Sequence, residues 1–253
     1  MRAFRVLLLH ELRSAWLSWT TWASWSLFLA LLGTIHWYAV LACSRTAMPW
    51  TPAEAVFRWF PLPLLCVLPL LTMRTFAEER RAGTLGALLT TPASGAAVVL
   101  AKFTAAWSTW VVFWASYAIF PALSARALGG SADPRLADPV TLGGGIAFIA
   151  VSGLLHVALG LLCSSRTRSP GLAALTTFVG LLMLTVAGGL LDALPSEGWE
   201  WLAWLKQPAE HLRTLGHLED FASGVVDTRP LVLYLTGCAL CLGLTVINIE
   251  AAD

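Results

Sequence analysis

The sequence predicts an all-α membrane protein with about six transmembrane helices, and three observations predict it. Of its 253 residues 57% are hydrophobic and only 12% are charged, about half the charged fraction of an ordinary soluble domain. The apolar residues lie in long blocks that a water-soluble fold cannot use. The charged residues divide the chain into uncharged runs over 14–44, 59–73, 103–125, 139–165, 169–191 and 230–249.

Spanning a hydrocarbon core takes about 20 residues of helix, and five of these runs suffice alone. The second is short, but helix can extend back through Ala55–Phe57 with Arg58 reaching for the headgroups. Its prolines Pro61, Pro63 and Pro69 predict a kinked or interrupted helix, either as a packing adjustment or as a gating hinge. Lysine and arginine placement sets the orientation. With both termini inside, nine basic residues fall in inner segments and seven in the longer outer ones. The tight loop Ser164–Ser169, holding Arg166 and Arg168, favours the same arrangement. Nothing at the N-terminus reads as a cleavable signal.

The chain reads as one permease-sized domain, 1–253, with three informative pieces outside the spans. Residues 1–15 place Phe4, Leu7, Leu8, Glu11 and Leu12 near one face, as in a short helix lying along the cytoplasmic leaflet. Residues 74–98 form an unusually charged inner loop. Residues 192–229 form a long outer segment whose Trp199, Trp201 and Trp204 suggest re-entry to headgroup depth.

Several functions are disfavoured. A net charge of +1 leaves no basic footprint for nucleic acid. A phosphate-binding P-loop needs Gly-Lys followed by Ser or Thr, yet the two lysines, Lys102 and Lys206, follow Ala101 and Leu205. Gly143-Gly144-Gly145 lacks a basic partner and reads as a flexible start to a span. Five cysteines, mostly within apolar runs, argue against a disulfide framework, and Cys238 and Cys241 read as packed thiols. His36 and His156 are polar residues inside spans, so a shared metal or haem is one reading and ordinary hydrogen bonding the other. No nucleophile elbow, intramembrane aspartate pair or zinc-protease motif occurs. No catalytic residue, metal ligand or cofactor is expected, so any ATP hydrolysis belongs to another chain. Two tryptophan stripes, Trp16-Trp19-Trp22-Trp25 and Trp107-Trp110-Trp114, either anchor and pack helices or line a path for an amphiphile.

The inner loop carries a resemblance. Arg74-Thr75-Phe76-Ala77-Glu78-Glu79-Arg80-Arg81-Ala82-Gly83-Thr84-Leu85-Gly86-Ala87-Leu88-Leu89-Thr90-Thr91-Pro92, followed by Val98–Phe103, resembles the loop between spans two and three of type-two ABC exporter permeases, nearest the gliding-motility-type branch. Phe221–Thr228 is similar to that branch's outer loop. The resemblance implies a bacterial inner-membrane, multi-pass permease with both termini cytoplasmic, surrounded by lipid. It implies two partners: a separate ABC ATPase subunit and a second permease chain, identical or paralogous. The docking segment would be Glu78, Glu79, Arg80, Arg81, Gly83, Thr84, Leu85, Leu88, Leu89 and Pro92, forming a cytoplasmic coupling helix. Gly86 departs from the family's usual glutamate and weakens such a helix by about 1 kcal/mol relative to alanine. Thr84 can cap it, with Leu85, Leu88 and Leu89 on one face and Pro92 after its end. Glu79 is expected to be a screened rim charge of small energetic value. A mechanical or regulatory complex with the same coupling but no cargo is the second functional reading, and a membrane enzyme with a metal or haem centre the third.

Overall fold

The computed structural model describes residues 2–45, 50–84, 86, 94–129, 138–193, 216–218, 221 and 228–251, with backbone alone for 2, 3 and 186–193. Among the described residues there is no strand. Ser18 separates α1 (Arg2–Leu17) from α2 (Trp19–Arg45). Its hydroxyl lies 2.7 Å from that of Thr20, and its carbonyl accepts the Thr21 and Trp22 N–H groups. The face expected on α1 exists: Phe4, Leu7, Leu8, Glu11 and Leu12 are half-buried while Arg5, Val6, Leu9 and Arg13 are exposed. That face packs on α6 (Gly95–Tyr117), and among the described residues of α1 the exposed apolar side chains are Val6, Leu9 and Leu17.

α2 buries one stripe, Thr21, Ser24, Phe28, Leu32, His36 and Ala39, at the three- and four-residue spacing of one helix face. The second span is interrupted. α3 (Pro52–Arg58) starts at a capping box made by Thr51 and Glu54, and α4 (Pro61–Thr72) begins after the Trp59–Phe60 turn. Pro61 sits in the first turn of α4, where its missing N–H costs nothing. Pro69 lies inside α4 and removes one bond from its ladder. Twelve residues of α4 rise only about 18 Å, so the crossing needs the flanking segments as well. α5 (Ala77–Ala82) follows four turn residues further on.

Ser94 caps α6 by accepting the Ala97 N–H. α7 (Ile119–Leu128) continues α6 beyond a turn at Ala118. α8 (Pro139–Ser165) starts at Asp138, whose carboxylate accepts the Val140 and Thr141 N–H groups and the Thr141 hydroxyl. Those bonds, the Thr141 hydroxyl first, hold the Asp138 carboxyl below its ordinary pKa. α9 (Pro170–Ala193) and α10 (Arg229–Glu250) follow. Among the described residues five stretches are long and apolar enough to cross a membrane: Trp19–Arg45, Pro61–Ala82, Gly95–Leu128, Pro139–Ser165 and Arg229–Glu250. The apolar helix Pro170–Thr185 occupies the place of the expected fifth span. Most of the expected outer segment 192–229, including Trp199, Trp201 and Trp204, lies outside the described residues.

α8 is the central post, packed by α10, α6, α9 and α4. An aromatic cluster of Phe28, Phe57, Phe60, Trp110, Phe113, Trp114 and Tyr117 is almost fully buried against it. Trp110 and Trp114 therefore serve packing, and Trp25 stacks on Phe113; Trp19 stays exposed. Gly145, expected to loosen the start of a span, instead lies in helix and receives the Phe57 ring. Gly160 lets α4 approach: a Cβ there would stand 2.5 Å from Thr72 Oγ1 and 2.8 Å from its Cβ.

This contact generates a paired prediction on one helix. Gly160→Ala should cost about 1–3 kcal/mol through overpacking. Gly143→Ala, whose Cβ meets nothing within 4 Å, should be neutral or stabilising by up to about 1 kcal/mol. Reversible unfolding in mixed micelles measures both, and equal effects would contradict the packing.

Candidate functional site

The loop after α4 leaves through the turn Met73–Phe76, and its stem is fastened to neighbouring helices. Ser164 on α8 accepts the Phe76 and Ala77 N–H groups at 3.1 and 3.2 Å and donates to the Met73 carbonyl at 3.1 Å. One hydroxyl thus satisfies two of the donors that the start of a helix leaves open. Phe76 and Ala77 are fully buried. Gly83 ends α5 with φ 70°, a conformation that favours glycine, and the Thr84 hydroxyl reaches back to the Glu79 carbonyl at 3.4 Å.

At the centre is Lys102, on the third turn of α6 and only 4% exposed. Its ammonium lies 2.8 Å from Glu11 Oε1 on α1 and 2.7 Å from Glu79 Oε1 on α5, and 5.6 Å from the centre of the Phe76 ring. Removing such a cation from water costs several kcal/mol, which only close and well-aligned carboxylates offset. Two of its three N–H bonds have acceptors here. Arg80 makes a second tie, donating through Nη2 to the Asn248 carbonyl on α10 at 2.8 Å. The stem is therefore bonded to α6, α8 and α10 and, through Lys102, linked to α1. The same bonds bring α1, the loop stem, the end of α8 and the end of α10 to one end of the bundle.

The residues expected to form a docking segment divide into three groups. Glu78, Arg81, Gly83 and Thr84 are exposed, with Glu78 held loosely 3.9 Å from Arg74. Glu79 and Arg80 turn inward and are half-buried, so Glu79 is a partner of a buried cation and not a rim charge. Leu85, Leu88, Leu89 and Pro92 lie outside the described residues, as does most of the expected coupling helix; Gly86 is exposed. The residues missed were Lys102, Glu11, Ser164 and Asn248. A carboxylate on the apolar face of α1 was a usable signal for Glu11, since a buried charge requires a partner.

Among the described residues no three metal-ligating side chains gather. His36 uses both ring nitrogens, with Tyr117 Oη at 3.2 Å and Ser124 Oγ at 2.9 Å. The His156 ring lies against Phe60 and Tyr234. The two histidines thus have separate settings. Cys238 and Cys241 are free, buried thiols.

The Lys102 cluster gives the two loop glutamates different weights. Glu79→Ala should destabilise by about 2–3 kcal/mol, somewhat below the loss for a wholly buried pair, because its side chain keeps 28% exposure. Glu78→Ala, 48% exposed, should stay within about 1 kcal/mol of wild type. Unfolding measurements on both variants decide this, and equal losses would remove the distinction. Among known proteins, the family model described as "ABC-2 family transporter protein" matches residues 60–197, from the α3–α4 turn to beyond α9. No curated protein sequence matches the chain significantly. The match covers more than half the chain, includes the fastened loop and rests on a helical membrane bundle: the chain belongs to the ABC-2 transporter family.

Proposed function

We propose that the chain is the transmembrane permease subunit of an ATP-driven exporter, moved by a separate ATPase that docks on the loop 74–98. That it is a membrane permease component of an ABC transporter follows from the family; the docking loop, the direction and the assembly are our reading. One observation carries it: Lys102 joins the loop stem, through Glu79, to the interfacial helix, through Glu11. A force on the loop tip would reach α1 and α6 at once. The exposed Glu78, Arg81 and Thr84 lead into Leu85, Leu88 and Leu89, whose apolar face suits a groove on the ATPase.

In this reading two permease chains, identical or paralogous, stand beside two ATPase chains in a bacterial inner membrane, with both termini cytoplasmic. Nucleotide-driven closure of the ATPases moves the loops, and the spans rearrange around a shared path. The likeness of Phe221–Thr228 to the gliding-motility-type outer loop favours a second reading, a mechanical complex without cargo. Accumulation of a compound in reconstituted vesicles, with substrate-stimulated ATP hydrolysis, separates the two.

Two predictions test the proposal. Single cysteines at Ser131 and Gly198, in a cysteine-free background, should react with an impermeant thiol reagent from outside, and one at Ser94 should not. The reverse pattern would overturn the orientation. Leu88→Asp should leave the permease inserted and folded but abolish co-purification with the ATPase or its stimulation. Burying a leucine stabilises by about 1.5–3 kcal/mol, and an unpaired carboxylate in its place must also be desolvated. A normal complex with normal stimulated turnover would end the docking claim.

A further inference from the structure

Next to the Lys102 cluster lies a cavity of about 250 Å³ between α1, the start of α2, the end of α4 and α6. That is room for roughly eight waters. Leu70, Leu71, Ala105 and Ala106 form its apolar wall, and Glu11, Glu78 and Glu79 stand at its polar side with Lys102 and Arg74. Carboxylates therefore outnumber fixed cations by one, with His10 the remaining titratable group of the lining. Glu79 Oε2 is buried and has no hydrogen-bond donor among the described residues.

Two hydroxyls in the lining are unusual for this protein. Thr34, Thr72, Thr104, Thr109, Thr176 and Thr245 all turn their hydroxyls back onto the carbonyl four residues earlier, the ordinary solution inside a helix. Thr21 and Ser24 do not. They are 7% and 4% exposed, line the cavity, and have no hydrogen-bond partner among the described residues. Neither oxygen is among the buried side-chain atoms that lack a partner, so both open onto the cavity, where a ligand bearing donors can reach them.

We infer that this cavity is a binding site for an organic ammonium, held by the Thr21 and Ser24 hydroxyls and the surplus carboxylate charge. The N–H bonds of an ammonium suit two hydroxyl oxygens and a carboxylate oxygen. The carbon attached to it suits the leucine and alanine wall. A bare metal ion fits poorly, since no three metal-ligating side chains gather among the described residues and one wall is apolar. An anion would face the surplus carboxylate. The site needs no ATPase, so it and the docking loop stand or fall separately.

The test is titration calorimetry on the purified full chain in maltoside micelles, with decylammonium, ethylammonium and decanol as probes. Decylammonium should bind one to one and more tightly than decanol. Thr21→Val with Ser24→Ala should weaken it at least tenfold, since hydrogen bonds to a charged group are worth about that much each. Thermal stability should be kept, because neither hydroxyl has a partner to lose. Ser24→Phe, which fills the cavity, should abolish binding. Ethylammonium binding as tightly as decylammonium would identify a soluble amine as the ligand, and ethylammonium failing would identify a membrane amphiphile; either supports the ammonium site. Decanol matching decylammonium, or the double variant binding within twofold of wild type, would overturn it.

Discussion

One buried ammonium organises the loop end of this bundle. Lys102 is on α6, and neither of its partners belongs to α6: Glu11 comes from α1 and Glu79 from α5. α5 has six residues, far fewer than a helix needs to persist alone in water. Its place is set by what it is tied to, namely Ser164 at its start, Lys102 at its middle and Asn248 through Arg80. Apolar packing of similar volume can match a buried ion pair in stability. It does not fix a single rotation of a short helix as two close charge contacts do. The pair's contribution is therefore geometric as well as energetic.

The rest of the bundle depends on close approach to α8. In lipid, helices gain nothing from hiding apolar surface from one another, and association relies on contact and internal hydrogen bonds. α8 supplies both. Gly160 admits Thr72 of α4, Gly145 admits Phe57 of α3, and Gly153 admits Trp110 of α6. Trp107 donates its indole N–H to the Ala150 carbonyl at 2.8 Å, tying α6 to α8 by a polar contact. At the last turn of the same helix Ser164 fastens the loop stem, so the packing post and the loop anchor are one element.

The fold was legible where one residue type dominates a long stretch. The uncharged runs located α2, α6, α8, α9 and α10, and the clustered prolines marked the interruption between α3 and α4. The face of α1 was also readable, although its covering turned out to be α6. What local sequence does not contain is pairing across the chain. Glu11 and Lys102 are 91 residues apart, and Arg80 and Asn248 are 168 apart; no periodicity encodes either bond. Glu78 and Glu79 are adjacent and chemically alike, yet one faces solvent and one a buried cation, because successive helix positions point about 100° apart. Gly145 illustrates the same limit, since a glycine run reads identically whether it loosens a helix or receives a neighbour's ring.

The inward and outward charges of the loop also define where motion can enter. Up to Ala82 the stem is bonded to α6, α8 and α10 and linked through Lys102 to α1, so in the proposed exporter it would move with them. At Gly83 the chain adopts φ 70° with nothing within 4 Å of a would-be Cβ, and beyond it Thr84 and Gly86 are exposed. In the proposed exporter a joint here would let an ATPase contact move relative to the stem without breaking the Ser164, Lys102 or Asn248 contacts. In the proposed exporter the load then passes along the stem. Because Lys102 couples the stem to α1, α1 would follow a tilt of the loop unless a buried ion pair were broken. In that proposal the cost of separating those charges would make α1 and the loop stem one moving part.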